Sequence, residues 1–230
     1  YQLAEVMRME GRPVESIPLF GDALAIYEKS LGSRHSYVAT ALTGLAQAQA
    51  NSGQGSAAIA NLKRAYAIYL AALGPQHLNT VIAEIALAKA QSNAGDFADA
   101  EQSYRDALTK FSGPLAAHVY AEAARQGVGE ALTAQHRYAE AEPLLRQSLA
   151  ALTAKFGAAS DHTESAAIAL ASCLAGERRF DEAAAVLATT RDALEIAPPT
   201  PVRSRELDTL TAADARVTSA RAAARAPVGH

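Results

Sequence analysis

Three histidines recur at a nearly fixed interval: His35, His77 and His118 lie 42 and 41 residues apart. Imidazole is the commonest protein ligand for zinc, so a histidine ladder raises the chemistry of a metal centre. The interval argues against it. Equivalent residues of units packed as neighbouring helices stand about 10 Å apart and cannot share one ion. The ladder therefore reads as packing at helix N-termini. His136 and His162 lie in loops without an acidic or cysteine partner at ligand spacing. Cys173, between Ala171 and Leu174, reads as a small buried hydrophobe, and a single cysteine rules out an intrachain disulfide. Ser160, Asp161 and His162 are adjacent in sequence, which is not the geometry of a catalytic triad. The carboxylates Glu140, Glu142, Asp181 and Glu182 fall in first turns, where the helix dipole favours them, and read as solvated. No GxGxxG, GxxxxGKS/T or HExxH segment is present. These residues imply no catalytic centre, no metal and no cofactor.

The elements that would position such residues follow from composition. Of 230 residues 56 are Ala, against 14 Gly, 9 Pro and no Trp. Ala is the best helix former, so the chain is expected to be all-α. Half the residues are hydrophobic, enough for a sizeable core. A net charge of −3 argues against a partner such as nucleic acid, whose binders are usually strongly basic. The longest apolar run, near Ala166–Leu170, is far short of the roughly 18 residues of a membrane span. With no basic-then-apolar leader, the expected compartment is cytoplasmic. Arg outnumbers Lys 16 to 5, which with so much Ala matches GC-rich bacterial coding.

A period of 42 organises the chain. Leu31-Gly32-Ser33-Arg34-His35 recurs as Leu73-Gly74-Pro75-Gln76-His77, and Gly11, Gly53 and Gly95 share the interval. The register continues through His136 and Arg178. One aligned column holds Leu3, Leu45, Leu87, Val128 and Leu170. Small residues (Ser16, Ala58, Ala100, Ala141, Ala183) precede large ones by four positions (Phe20, Leu62, Tyr104, Leu145, Leu187), and three positions on come small ones again (Ala23, Ala65, Ala107, Ser148, Thr190). Spacings of three and four share a helical face, so each unit reads as helix A, a tight turn and helix B, interlocked by alternating size.

These columns resemble the tetratricopeptide repeat, and the longer helices with the LGxxH loop are similar to its kinesin-light-chain subtype. "YAEAEPLLRQSLA" (Tyr138–Ala150) and "YVATALTGLAQ" (Tyr37–Gln47) carry the resemblance furthest. It implies a right-handed superhelical solenoid of five repeats that binds a protein or peptide ligand in its concave groove. Where the family commonly carries paired Asn ahead of the helix-A Leu, this chain has Thr43-Gly44, Ile85-Ala86, Gln126-Gly127 and Ile168-Ala169.

The array is expected over residues 1–197, with repeats at about 1–34, 35–76, 77–117, 118–159 and 160–197. A Pro-rich linker (198–202), a capping helix (203–225) and a flexible tail (226–230) follow. Helix A is expected at Tyr1–Glu10, Ser36–Ser52, His77–Ala94, Leu115–Ala134 and Ser160–Ala175. Helix B is expected at Pro13–Leu31, Ser56–Leu73, Phe97–Phe111, Tyr138–Phe156 and Asp181–Ile196, with a mild bend at Pro143. The first helix A is some ten residues shorter than its equivalents, as expected for a piece of a longer protein.

What remains is a surface. Residues just beyond the helix-A Leu column should face the groove, which nominates Glu5, Gln47, Asn51, Lys89, Asn93 and Glu130 as a peptide site, together with Gln126 just ahead of the column. The expected function is a non-catalytic protein–protein interaction module, part of a larger protein. Alternatives are the regulatory segment of a bacterial Ser/Thr kinase or other signalling protein, and a self-association scaffold. The sequence leaves the oligomeric state open.

Overall fold

The computed structural model describes residues 1–112, 118–198 and 203–225, and all regular structure among them is helical. Contacts cluster into two units, Tyr1–Ala116 and Ala117–His230. The first holds α1 (Gln2–Met9), α2 (Pro13–Leu31), α3 (Ser36–Asn51), α4 (Gly55–Leu73), α5 (Leu78–Ala94) and α6 (Phe97–Thr109). The second holds α7 (Val119–Ala134), α8 (Tyr138–Phe156), α9 (Asp161–Gly176), α10 (Phe180–Ile196) and α11 (Arg203–Arg225). In each unit every helix packs on the next, and α9 also touches α7 and α11 directly. These are the helix pairs of the repeat, with α11 standing where a further helix A would be. Of the segments expected to be linker and tail, 199–202 and 226–230 lie outside the described residues, as do 113–117 at the expected start of the fourth helix A.

The turn inside each helix pair needs one residue in the left-handed region. Gly11, Gly53 and Gly95 supply it at φ 79°, 77° and 91°, and where glycine is lost the backbone keeps the shape with His136 at 61° and Arg178 at 65°. The size columns interlock as the repeat alignment requires. Ser16, Ala58, Ala100, Ala141 and Ala183 are fully buried, and so, almost completely, are Phe20, Leu62, Tyr104, Leu145 and Leu187. Three glycines admit the closest approaches: a Cβ on Gly44 would stand 2.9 Å from Phe20 Cζ and nearer still to Cε1, one on Gly129 2.6 Å from Leu145, and one on Gly176 2.5 Å from Tyr138 Cζ and nearer still to Cε1. In the Leu3 column, Leu45, Leu87, Val128 and Leu170 are buried but Leu3 is 61% exposed, because no described helix covers that side of α1. Val6 is exposed for the same reason, while its equivalents Ala48, Ala90, Ala131 and Cys173 are buried.

Helices α2 and α8 run through Pro18 and Pro143, each the sixth residue of its helix. Helix α6 stops at Thr109, short of the expected Phe111, ahead of the Gly113-Pro114 breaker in the sequence. His162 is not in a loop: it belongs to the first turn of α9, its ring 4.7 Å from Phe156.

Candidate functional site

The histidine ladder is a set of helix caps. Nδ1 of His35, His77 and His118 accepts from the backbone N–H two residues on, at 3.2, 3.1 and 3.3 Å, which satisfies one of the donors that every helix start leaves open. Ser160 does the same work for α9, accepting from Thr163 N. Among the described residues no three His, Cys, Asp or Glu side chains gather as a metal site. Cys173 is fully buried, its Sγ 3.6 Å from the Tyr138 carbonyl, and burial pushes its thiol pKa up.

Of the four carboxylates expected to be solvated, Glu140, Asp181 and Glu182 are exposed, whereas Glu142 is half-buried. Glu142 is a hub: it accepts from Arg146 and from Arg179, both at 2.7 Å, and the Arg179 guanidinium pulls its pKa below the ordinary range. Glu182 pairs with Arg179, and Asp181 with Arg221 of α11. The Glu142–Arg179 and Asp181–Arg221 pairs tie different helices together, and sequence spacing alone does not show them.

The nominated surface residues fall into two places. In the first unit, Gln47, Asn51, Lys89 and Asn93 line one cavity of about 390 Å³ over a floor of Ala46, Ala50, Ala86 and Ala90. Lys89, Asn51 and Asn93 are exposed and Gln47 is half-buried, so their polar ends face the cavity mouth. Arg8 completes the rim, held by Glu5 at 2.5 Å; Glu5 thus positions the lining and is not part of it. In the second unit, Gln126 Nε2 donates to Glu130 Oε1 (2.7 Å) and to Ser165 Oγ (2.9 Å), bridging α7 to α9. Glu130 lines a separate cavity of about 610 Å³ with Asp161 and Glu164 of α9 and Arg205 and Glu206 of α11. The last four were not nominated from sequence. A signal for Glu164 exists: its column reads Ala39, Val81, Glu122, Glu164, and Glu122 has Arg125 three residues on, whereas Glu164 has Ala167.

Models described as tetratricopeptide repeat match residues 1–71, 50–111 and 123–164, together more than half of the chain. The chain belongs to the tetratricopeptide repeat family. Solved structures agree on the fold. A Podosopora anserina protein of nearly identical TPR-like repeats, titled a putative kinesin light chain, superposes with a TM-score of 0.68 at 23% identity, over 84% of this chain and 92% of that one. A point variant of the same protein gives 0.70 over 84% and 91%, also at 23% identity. BtubC (BKLC) from P. vanneervenii gives 0.70 at 18% identity, over 86% and 81%. No curated protein matches the sequence. In the first unit of this tetratricopeptide repeat array the positions that commonly hold paired Asn are Thr43-Gly44 and Ile85-Ala86, so the amide hydrogen-bonding capacity of the helix-A face there sits about two turns on, at Asn51 and Asn93. No helix among the described residues is long and apolar enough to cross a membrane.

Proposed function

We propose that this chain is a non-catalytic interaction module that holds an extended partner segment against its helix-A face. The observation that carries the reading is the convergence of Gln47, Asn51, Lys89 and Asn93 on one cavity. Each amide offers a donor pair and an acceptor, the pattern that a peptide backbone needs, and the Ala floor leaves room for a flat strand. Lys89 adds a point charge suited to an acidic side chain of the partner. Tetratricopeptide repeats generally serve as protein-binding modules, and the fold is typically non-catalytic.

The test is to select binders from a peptide library and titrate the best against Lys89→Glu, Asn93→Ala and Lys63→Glu. Lys63 is an exposed residue of α4 away from the cavity. Losing a charge-assisted contact costs about 1.5–3 kcal/mol, so Lys89→Glu should weaken binding roughly ten- to a hundred-fold. Binding by all three variants equal to the parent removes the cavity as the site.

A further inference from the structure

The larger cavity, in the second unit, has the opposite chemistry. Four carboxylates line it, Glu130, Asp161, Glu164 and Glu206, against one guanidinium, Arg205. Glu164 lies at its base, 6% exposed, and its carboxylate accepts no hydrogen bond or ion pair from the described residues. A buried carboxylate without a donor is unfavourable and marks a place where a partner is missing. Its neighbour Glu206 has a fully buried Oε2 with no hydrogen-bond donor among the described residues, served only by the Arg203 guanidinium at 3.5 Å. The charged groups facing Glu164 come from α7 (Glu130), from α9 itself (Asp161) and from α11 (Arg205, Glu206); no described residue of α8 or α10 lines the cavity. Ala134, Ile168 and Ala169 give the wall an apolar surface suited to a methylene stem.

We propose that this cavity is a receptor for a basic side chain, arginine or lysine, presented by a partner polypeptide. The stem lies along Ile168 and the cationic head reaches Glu164, supplying the donors that the carboxylate lacks. Burial, with Glu206 and Asp161 adding to it, pushes the Glu164 carboxyl up to about 7. Binding is therefore strongest where Glu164 is ionised, and the guest's charge in turn holds it so. The assignment stands on Glu164 and does not depend on the cavity of the first unit.

Fluorescein-labelled octa-arginine, followed by anisotropy at pH 8 with labelled octa-glutamine as the neutral control, tests it. Glu164→Gln should weaken octa-arginine binding at least tenfold. Glu195→Gln, which removes the same charge from an exposed site on α10, should change it less than twofold. Parent affinity should fall between pH 8 and pH 6, and the Glu164→Gln curve should be flat. As a second variant, Thr209→Lys places a cation at the cavity rim and should block the peptide, whereas Thr211→Lys, on an exposed part of α11 outside the lining, should not. Equal losses for Glu164→Gln and Glu195→Gln, or no effect of Thr209→Lys, would mean that the peptide senses net charge alone, and the proposal falls.

Discussion

Phe20 and Gly44 form a matched pair whose next-repeat equivalents are Leu62 and Ala86, 42 residues on, which pack together in the same manner. The larger ring in the first repeat is accommodated because Gly44 has no side chain. Gly44→Ala puts a Cβ 2.9 Å from Phe20 Cζ and nearer still to Cε1, where ordinary contacts lie at 3.4–4 Å. Phe20 is fully buried and has nowhere to swing. Overpacking of that kind costs about 1–3 kcal/mol, while alanine in a helix interior returns about 0.5–1. Gly44→Ala alone should therefore destabilise the protein by about 1–2 kcal/mol. In a Phe20→Leu background the clash is gone and only the helix gain remains, so the same substitution should stabilise by about 0.5–1 kcal/mol. Urea denaturation of parent, both single variants and the double variant closes the cycle. The diagnostic result is the change of sign. If Gly44→Ala destabilises equally in both backgrounds, size matching between the columns is not what sets the register of these helices.

Lys110 pairs with buried Glu84 at 2.5 Å beneath the Tyr66 hydroxyl, so Lys110→Met should cost about 3 kcal/mol, and adding Glu84→Gln should recover at least half of it in chemical denaturation. Glu164 has a folded pKa of about 7 against an ordinary value of 4.5, so its contribution to stability is fully present below pH 4.5 and is lost as pH rises through 7. Glu164→Gln should flatten that melting profile and add about 2 kcal/mol at pH 8, solvent at the cavity mouth screening part of the full shift. His136→Gly restores the residue that the left-handed turn takes in the first three repeats and should raise stability by about 0.5–1 kcal/mol in thermal melts, whereas Gly53→Ala should lower it by a similar amount.

The helix pairs were legible because their signal is local. Alternating small and large residues at spacings of three and four decide a helix face without any distant partner, and so α3 was expected at Ser36–Ser52 and found at Ser36–Asn51. The first-unit cavity was legible for the same reason, since Asn51 and Asn93 are one repeat apart on equivalent helices. Glu142 was not, because Arg179, which makes it a hub, is 37 residues away and belongs to the next helix pair. The Glu164 cavity needs Glu206 and Arg205, and no periodic column reaches α11. The bond from Gln126 to Ser165 joins residues 39 positions apart, so no spacing within one helix announces it.

Leu3 and Val6 are open on α1, while α11 buries Leu210, Ala213 and Val217 and turns Asp208, Thr211, Arg216 and Ser219 to solvent. The two ends therefore respond differently to fusion. A helix B grafted ahead of Tyr1 meets a socket whose counterparts at Leu45 and Ala48 are already filled by such a helix, and it gains buried apolar area at once. One grafted after α11 meets hydroxyls and charges and gains almost none. Added helices therefore find apolar area to bury on α1 and little on the outer side of α11.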